Sequence, residues 1–148
     1  MSKVFIYPVS DKESAEDLNE LENNKNVYWE AKKKPVSSLK KGDIFLIYVS
    51  ENLREIKYIC EVTNVDDGGK EFSLNLLNII DNDVSYLLSR EFLKKYGNLK
   101  GEFYSYRILN NNPQLCSYIS NVLLEHGYID KDLCDENKDF IDEKKKMI

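Results

Sequence analysis

The run Lys40-Lys41-Gly42-Asp43-Ile44-Phe45-Leu46-Ile47-Tyr48-Val49-Ser50 decides how the chain folds. Gly42-Asp43 reads as a turn, and residues 44–50 behind it are so apolar that they predict a central strand buried on both faces. Working outward, residues 56–65 (IKYICEVTNV) alternate as a half-exposed neighbour, and residues 50–55 close the two into an antiparallel hairpin. Asp66-Asp67-Gly68-Gly69 is a second turn, leading into a strand over residues 71–80. Upstream, residues 4–9 (VFIYPV) have strand composition, but Pro8 removes a ladder donor and predicts an edge or a strand end. Residues 102–109, rich in aromatic side chains, complete five expected strands.

Three helices are expected around them. Ser10 and Glu13 form a capping box that opens a helix over residues 12–22. Residues 89–96 carry Phe92, Leu93 and Tyr96 at helical spacing, with Gly97 as the stop. Asn112-Pro113 starts a third, whose apolar stripe of Leu115, Ile119, Val122 and Leu123 runs to His126-Gly127. Strands do not alternate regularly with helices, so a doubly wound parallel sheet is disfavoured. The expectation is an α+β fold, a small mixed and mainly antiparallel pseudo-barrel of five or six strands with peripheral helices. Residues 1–128 form one domain, and residues 129–148 a charged tail that is partly helical or disordered.

At 148 residues the chain has room for one domain. No apolar run approaches the ~20 residues of a spanning helix, so no membrane partner is expected. The start Met1-Ser2-Lys3 is followed by a run too short and too polar in its sequel for a signal peptide, which predicts a cytoplasmic protein. Cys60, Cys116 and Cys134 are widely spaced without a C-x-x-C, and His126 is the single histidine, so neither a metal site nor a cofactor is expected. A net charge of −5 argues against a protein that coats nucleic acid non-specifically.

Catalysis finds little to work with. His126 falls at a helix end, where capping or solvation is the ordinary role, and no glycine-rich phosphate loop occurs. Asp66, Asp67, Asp81 and Asp83 sit where turns call for aspartate. Glu61 and Lys57 are the only weak acid–base candidates, so no enzyme is expected. The informative region is residues 27–41. There Tyr28 and Trp29 precede five cations, Lys32, Lys33, Lys34, Lys40 and Lys41, in an otherwise acidic chain. Such a layout suits either a stacked base with a tracked phosphate backbone or a core aromatic beside a solvated charge run.

These residues resemble the EVE domain family, within the PUA-like superfamily that includes the YTH readers of methylated adenine. The likeness is carried by the opening strand over residues 4–9, by Asn26-Val27-Tyr28-Trp29 before the lysine-rich loop and the lysine-x-Gly-Asp turn, and by Cys60-Glu61-Val62-Thr63. Residues 101–109 leading to Pro113 add a weaker match, and together the segments cover residues 3–125. The resemblance implies a pocket that accepts a single flipped, modified base without catalysis. It places the family's pocket aromatic on Tyr28, or on Trp29 if one residue is inserted, and the larger π face favours Trp29. Glu30 beside it would accept from an exocyclic amine, which suits cytosine or adenine edges. Tyr7, Ser10, Tyr48, Ser50 and either Tyr104 or Tyr106 would complete the wall. Lys32, Lys33, Lys34, Lys40 and Lys41 would meet phosphates.

The expected function is therefore a non-enzymatic reader of a modified base in DNA or RNA, serving as the specificity module of a nucleic-acid defence system with a nuclease or NTPase partner. Two alternatives stand beside it: a sensor of a free nucleoside or small aromatic metabolite, and a ribonuclease-like or base-modifying enzyme on the same barrel.

Overall fold

A computed structural model describes residues 2–31 and 34–134. Lys32, Lys33 and residues 135–148, which make up most of the charged tail, lie outside the described residues. In chain order the elements are β1 (Val4–Val9), α1 (Ala15–Asn24), β2 (Asn26–Glu30), β3 (Ile44–Val49), β4 (Glu55–Asp66), β5 (Glu71–Ile79), α2 (Asn82–Ser85), α3 (Arg90–Gly97), β6 (Arg107–Ile108) and α4 (Pro113–Glu125). The six strands form one sheet in the order β2-β5-β4-β3-β1-β6. Every pairing is antiparallel except β1 with β3.

β3 lies inside the sheet and is covered on both sides, as its composition requires. Phe45, Ile47 and Val49 point into one apolar cluster with Phe5, Val27, Trp29, Phe72 and α1; Leu46 and Tyr48 point into the other, beneath α3 and α4. The turn before β3 is held by Asp43, 2% exposed, whose carboxylate accepts from the backbone N–H of Lys3 (2.9 Å) and of Lys40 (2.8 Å). The lysine-x-Gly-Asp motif thus ties the start of β1 to the start of β3.

The sheet is open, not a closed barrel: β2 and β6 are its two edges. It is nonetheless strongly curled. Register shifts fall between Ile47 and Tyr48 in the β3–β4 pair and at two places in the β4–β5 pair, and such bulges bend strands. One of them sends Ile56 and Tyr58, which a regular strand would keep on one face, into opposite clusters. In a flat sheet the two edges would stand about 24 Å apart, five steps of ~4.8 Å. Here side chains from β2 and from the approach to β6 pack into the same inner cluster.

Two expectations from the sequence are corrected. Residues 26–30, assigned no element above, form the edge strand β2, with alternating exposure that buries Val27 and Trp29. The expected last strand over residues 102–109 shrinks to Arg107–Ile108. Gly101 turns the chain at φ 71°, and the Arg107 guanidinium donates back to the carbonyls of Lys100 (2.8 Å) and Glu102 (2.7 Å), so residues 101–106 arch as a loop. Two of the helices keep their expected caps: Ser89 accepts from the N–H of Phe92 and Asn112 from that of Leu115, with Pro113 in the first turn. Ser10 accepts from Lys12 and Glu13, which shapes the turn before α1 and leaves the helix to begin at Ala15. Beyond α4 the chain folds back, and Ser120 Oγ donates to Asp132 and accepts from Leu133 N–H. No helix among the described residues is long and apolar enough to cross a membrane.

Candidate functional site

The cavity arises where β1 outruns β6. β1 pairs with β6 only through Phe5 and Ile6. At the two ends of β1 the carbonyls of Lys3, just before the strand, and of Val9 accept from the N–H groups of Ile44 and Ser50 on the β3 side. By alternation Pro8 therefore faces the β6 side, where a proline has no N–H to offer a partner. The ladder stops there, and the loop of residues 101–106 arches over the gap.

The space left is a cavity of about 290 Å³. Its walls come from five separate parts of the chain: the end of β1 with Tyr7, Pro8 and Ser10, the start of α1 with Glu13 and Ser14, Trp29 and Lys34, the end of β3 with Ser50 and Glu51, and the loop with Phe103, Tyr104, Ser105 and Tyr106. Pockets for small molecules run from ~300 to ~1,000 Å³, so this one suits a single ring system rather than an extended ligand.

The aromatic walls are fixed by their neighbours. Tyr7 stacks on Phe45 with centroids 5.0 Å apart and meets Phe72 edge-on at 6.0 Å. Tyr106 packs against Phe5 at 5.8 Å, and the Lys34 ammonium lies 5.2 Å from the centroid of its ring. Phe103 rests on Tyr48 with centroids 4.5 Å apart, and the Arg107 guanidinium lies over the Phe103 ring, 5.0 Å from its centroid. Tyr104, by contrast, is 74% exposed at the mouth. The loop is latched by Glu102, whose carboxylate pairs with Arg90 and, at 3.3 Å, with Lys94. The Arg90 hydrogen bond holds the Glu102 carboxyl down at about 2.

Of the eight wall residues expected from sequence, Trp29, Tyr7, Ser10, Ser50 and Tyr106 meet at this cavity. Trp29 is 4% exposed, so it serves as a packed wall and not as an open platform. The other three lie elsewhere. Tyr28 and Glu30 alternate with Trp29 along β2 and are exposed on its other face. The Tyr28 hydroxyl donates to Glu71 at 2.5 Å, which pushes its pKa up to about 12. Tyr48 belongs to the outer cluster, 3% exposed, and burial likewise raises its pKa to about 12.

Of the expected phosphate lysines, Lys34 reaches the cavity. Lys40 and Lys41 are exposed at the start of β3, whereas the cavity is at its end, about 20 Å away along six extended residues. Lys57 donates to Asn82, Glu61 sits in mid-β4, and His126 is at the C-terminal end of α4; none of them lines the cavity. Among the described residues no group of three or more His, Cys, Asp or Glu is placed to hold a metal ion. Apart from Pro8 and Val9 at the end of β1, the lining that sequence reasoning missed, Glu13, Ser14, Glu51, Phe103 and Ser105, comes from turns and the loop before β6. Only the aromatic richness of residues 103–106 pointed to any of it, and that was read as a strand.

Neither a family model nor a curated relative matches the chain. Among solved structures, the crystal structure of protein Atu2648 from Agrobacterium tumefaciens is similar at a TM-score of 0.47 and 12% identity, covering 72% of this chain and 84% of that one. The solution structure of Rpa0253 from Rhodopseudomonas palustris is similar at a TM-score of 0.44 and 13% identity, covering 72% and 83%.

Proposed function

We propose that the protein is a non-catalytic reader that takes one modified base of DNA or RNA, extruded from its strand, into the cavity between Trp29 and Tyr106. In this reading it is a PUA-like module of the EVE kind that passes specificity to a nuclease or NTPase partner. The observation that carries it is the convergence of aromatic rings from three sequence-distant segments, Tyr7, Trp29 and residues 103–106, on a space sized for one heterocycle. Extruding a base costs a few kcal/mol of unstacking, which stacking on aromatic walls offsets at about 1–3 kcal/mol per base. The hydroxyls of Ser10, Ser50 and Ser105 line the same space and offer donors and acceptors for a base edge.

The test is a titration followed through Trp29, the single tryptophan of the chain. Oligonucleotides that differ in one modified base should quench or shift its emission with affinities that depend on the modification. Indifference to the modification across a panel contradicts the proposal.

A second reading, a sensor of a free nucleoside, draws on Glu13 and Glu51, two carboxylates among the lining residues against the one described cation, Lys34. Salt separates the two. A strand-bound base adds phosphate contacts and a steep fall of affinity with ionic strength, whereas a free nucleoside gives a nearly flat dependence.

A further inference from the structure

We infer that the base this cavity selects is cationic at neutral pH, a ring-N-methylated base such as 1-methyladenine or 3-methylcytosine, because the aromatic walls and the two carboxylates Glu13 and Glu51 together form a cage for a flat cation. The inference rests on the reading of the cavity as a base pocket and adds the chemical class of the base.

Two observations carry it. First, the lining combines five aromatic residues with carboxylates on two unrelated elements, the turn before α1 and the turn after β3. Aromatic faces attract cations through their quadrupoles, and carboxylates accept hydrogen bonds without donating any. A neutral keto edge meets repulsion from both carboxylates, while a delocalised ring cation with an exocyclic amine satisfies both kinds of wall. Second, the cage accommodates a cation: the Lys34 ammonium sits over the Tyr106 ring at 5.2 Å from its centroid. A cationic base takes that place on the ring and leaves Lys34 to swing toward the phosphate that accompanies the base.

Isomeric bases isolate charge from size. 1-Methyladenine and N6-methyladenine have the same added carbon, as do 3-methylcytosine and 5-methylcytosine, but only the first of each pair carries a positive charge at pH 7. Short single-stranded oligonucleotides differing only in that base are titrated against the full chain by Trp29 emission. The cationic isomer of at least one pair should bind tenfold or more tightly than its neutral twin. The double variant Glu13→Gln, Glu51→Gln should bring that ratio down toward one; both side chains are exposed, so the fold withstands the change. A neutral isomer that binds as well as the cationic one, or better, overturns the inference and leaves the base-reader reading standing. Failure to distinguish either isomer from unmodified strand overturns the underlying reading as well. A trimethyl-lysine peptide that binds as tightly as the best oligonucleotide assigns the cage to a protein ligand and overturns the choice of a base.

Discussion

Trp29 and Tyr106 line a single cavity from opposite edges of the sheet: one belongs to the edge strand β2, the other precedes the opposite edge strand β6. Curling by bulges brings the edges together, and Pro8 prevents the ladder from sealing the gap between them. The site is thus a consequence of incomplete closure.

Trp29 is too deeply buried for truncation to test binding alone. Trp29→Ala should cost about 3–5 kcal/mol of stability, the range for emptying a large aromatic site in a core. Urea denaturation monitored by circular dichroism reads this directly. A change under 1 kcal/mol would mean that the ring is not packed as described. Tyr106→Ala, at a half-buried position, is the better probe of binding and should weaken a modified oligonucleotide by about 1–3 kcal/mol.

Asp43→Ala leaves the N–H groups of Lys3 and Lys40 without their acceptor at the junction of β1 and β3. The expected loss is about 1.5–3 kcal/mol, as for a hydrogen bond to a charged group. Because the junction is at the far end of β3 from the cavity, the ligand affinity of the folded fraction should be retained. Denaturation and titration of one sample measure both.

Gly69 has φ +90°, and a Cβ placed there would stand 2.0 Å from the Val36 carbonyl oxygen, whereas at Gly68 a Cβ meets nothing within 4 Å. Gly69→Ala should therefore destabilise by at least ~2 kcal/mol, and Gly68→Ala by only ~1 kcal/mol for its left-handed backbone. Equal effects in thermal melts would contradict the close approach.

Glu102 gives a pH signature. Its folded-state pKa of about 2 lies below the ordinary value of ~4.3, so its contribution to stability is complete above ~4.3 and is lost as pH falls through about 2. The difference in melting temperature between the parent chain and Glu102→Gln should be full at pH 7 and should vanish over that acid window. A difference that persists unchanged at pH 2 would show that Arg90 and Lys94 do not hold this carboxylate.

Lys34→Gln should lower the salt slope of oligonucleotide binding by about 0.7–0.9, the share of one phosphate contact. An unchanged slope would remove Lys34 from the backbone contacts.

Much of this was legible in the chain. β3 declared itself because both faces are covered, so no alternation was needed. Asn112-Pro113 and Ser89 marked helix starts through local capping alone. β2 escaped notice because five residues with only Val27 and Trp29 buried give too short an alternation to separate from a loop. The loop over the cavity read as a strand since Phe103, Tyr104 and Tyr106 have strand composition, and its true course depends on Arg107 and Glu102 bonding to partners that no local pattern reveals. The site was half-visible for a related reason. Residue type suggested Tyr7, Ser10, Trp29, Ser50 and Tyr106, but which of Tyr28 and Trp29 faces inward is set by the pairing with β5. Tyr48 was lost to the outer face by the parity of β3.

The most direct measurement is amide chemical-shift mapping with an oligonucleotide carrying one modified base and with its unmodified twin. The account predicts saturable shifts in residues 7–10, 13–14, 50–51 and 103–106 that appear with the modified strand and are absent or far weaker with the other. Shifts confined to the Lys40–Lys41 end of the sheet, or identical for the two strands, would contradict it.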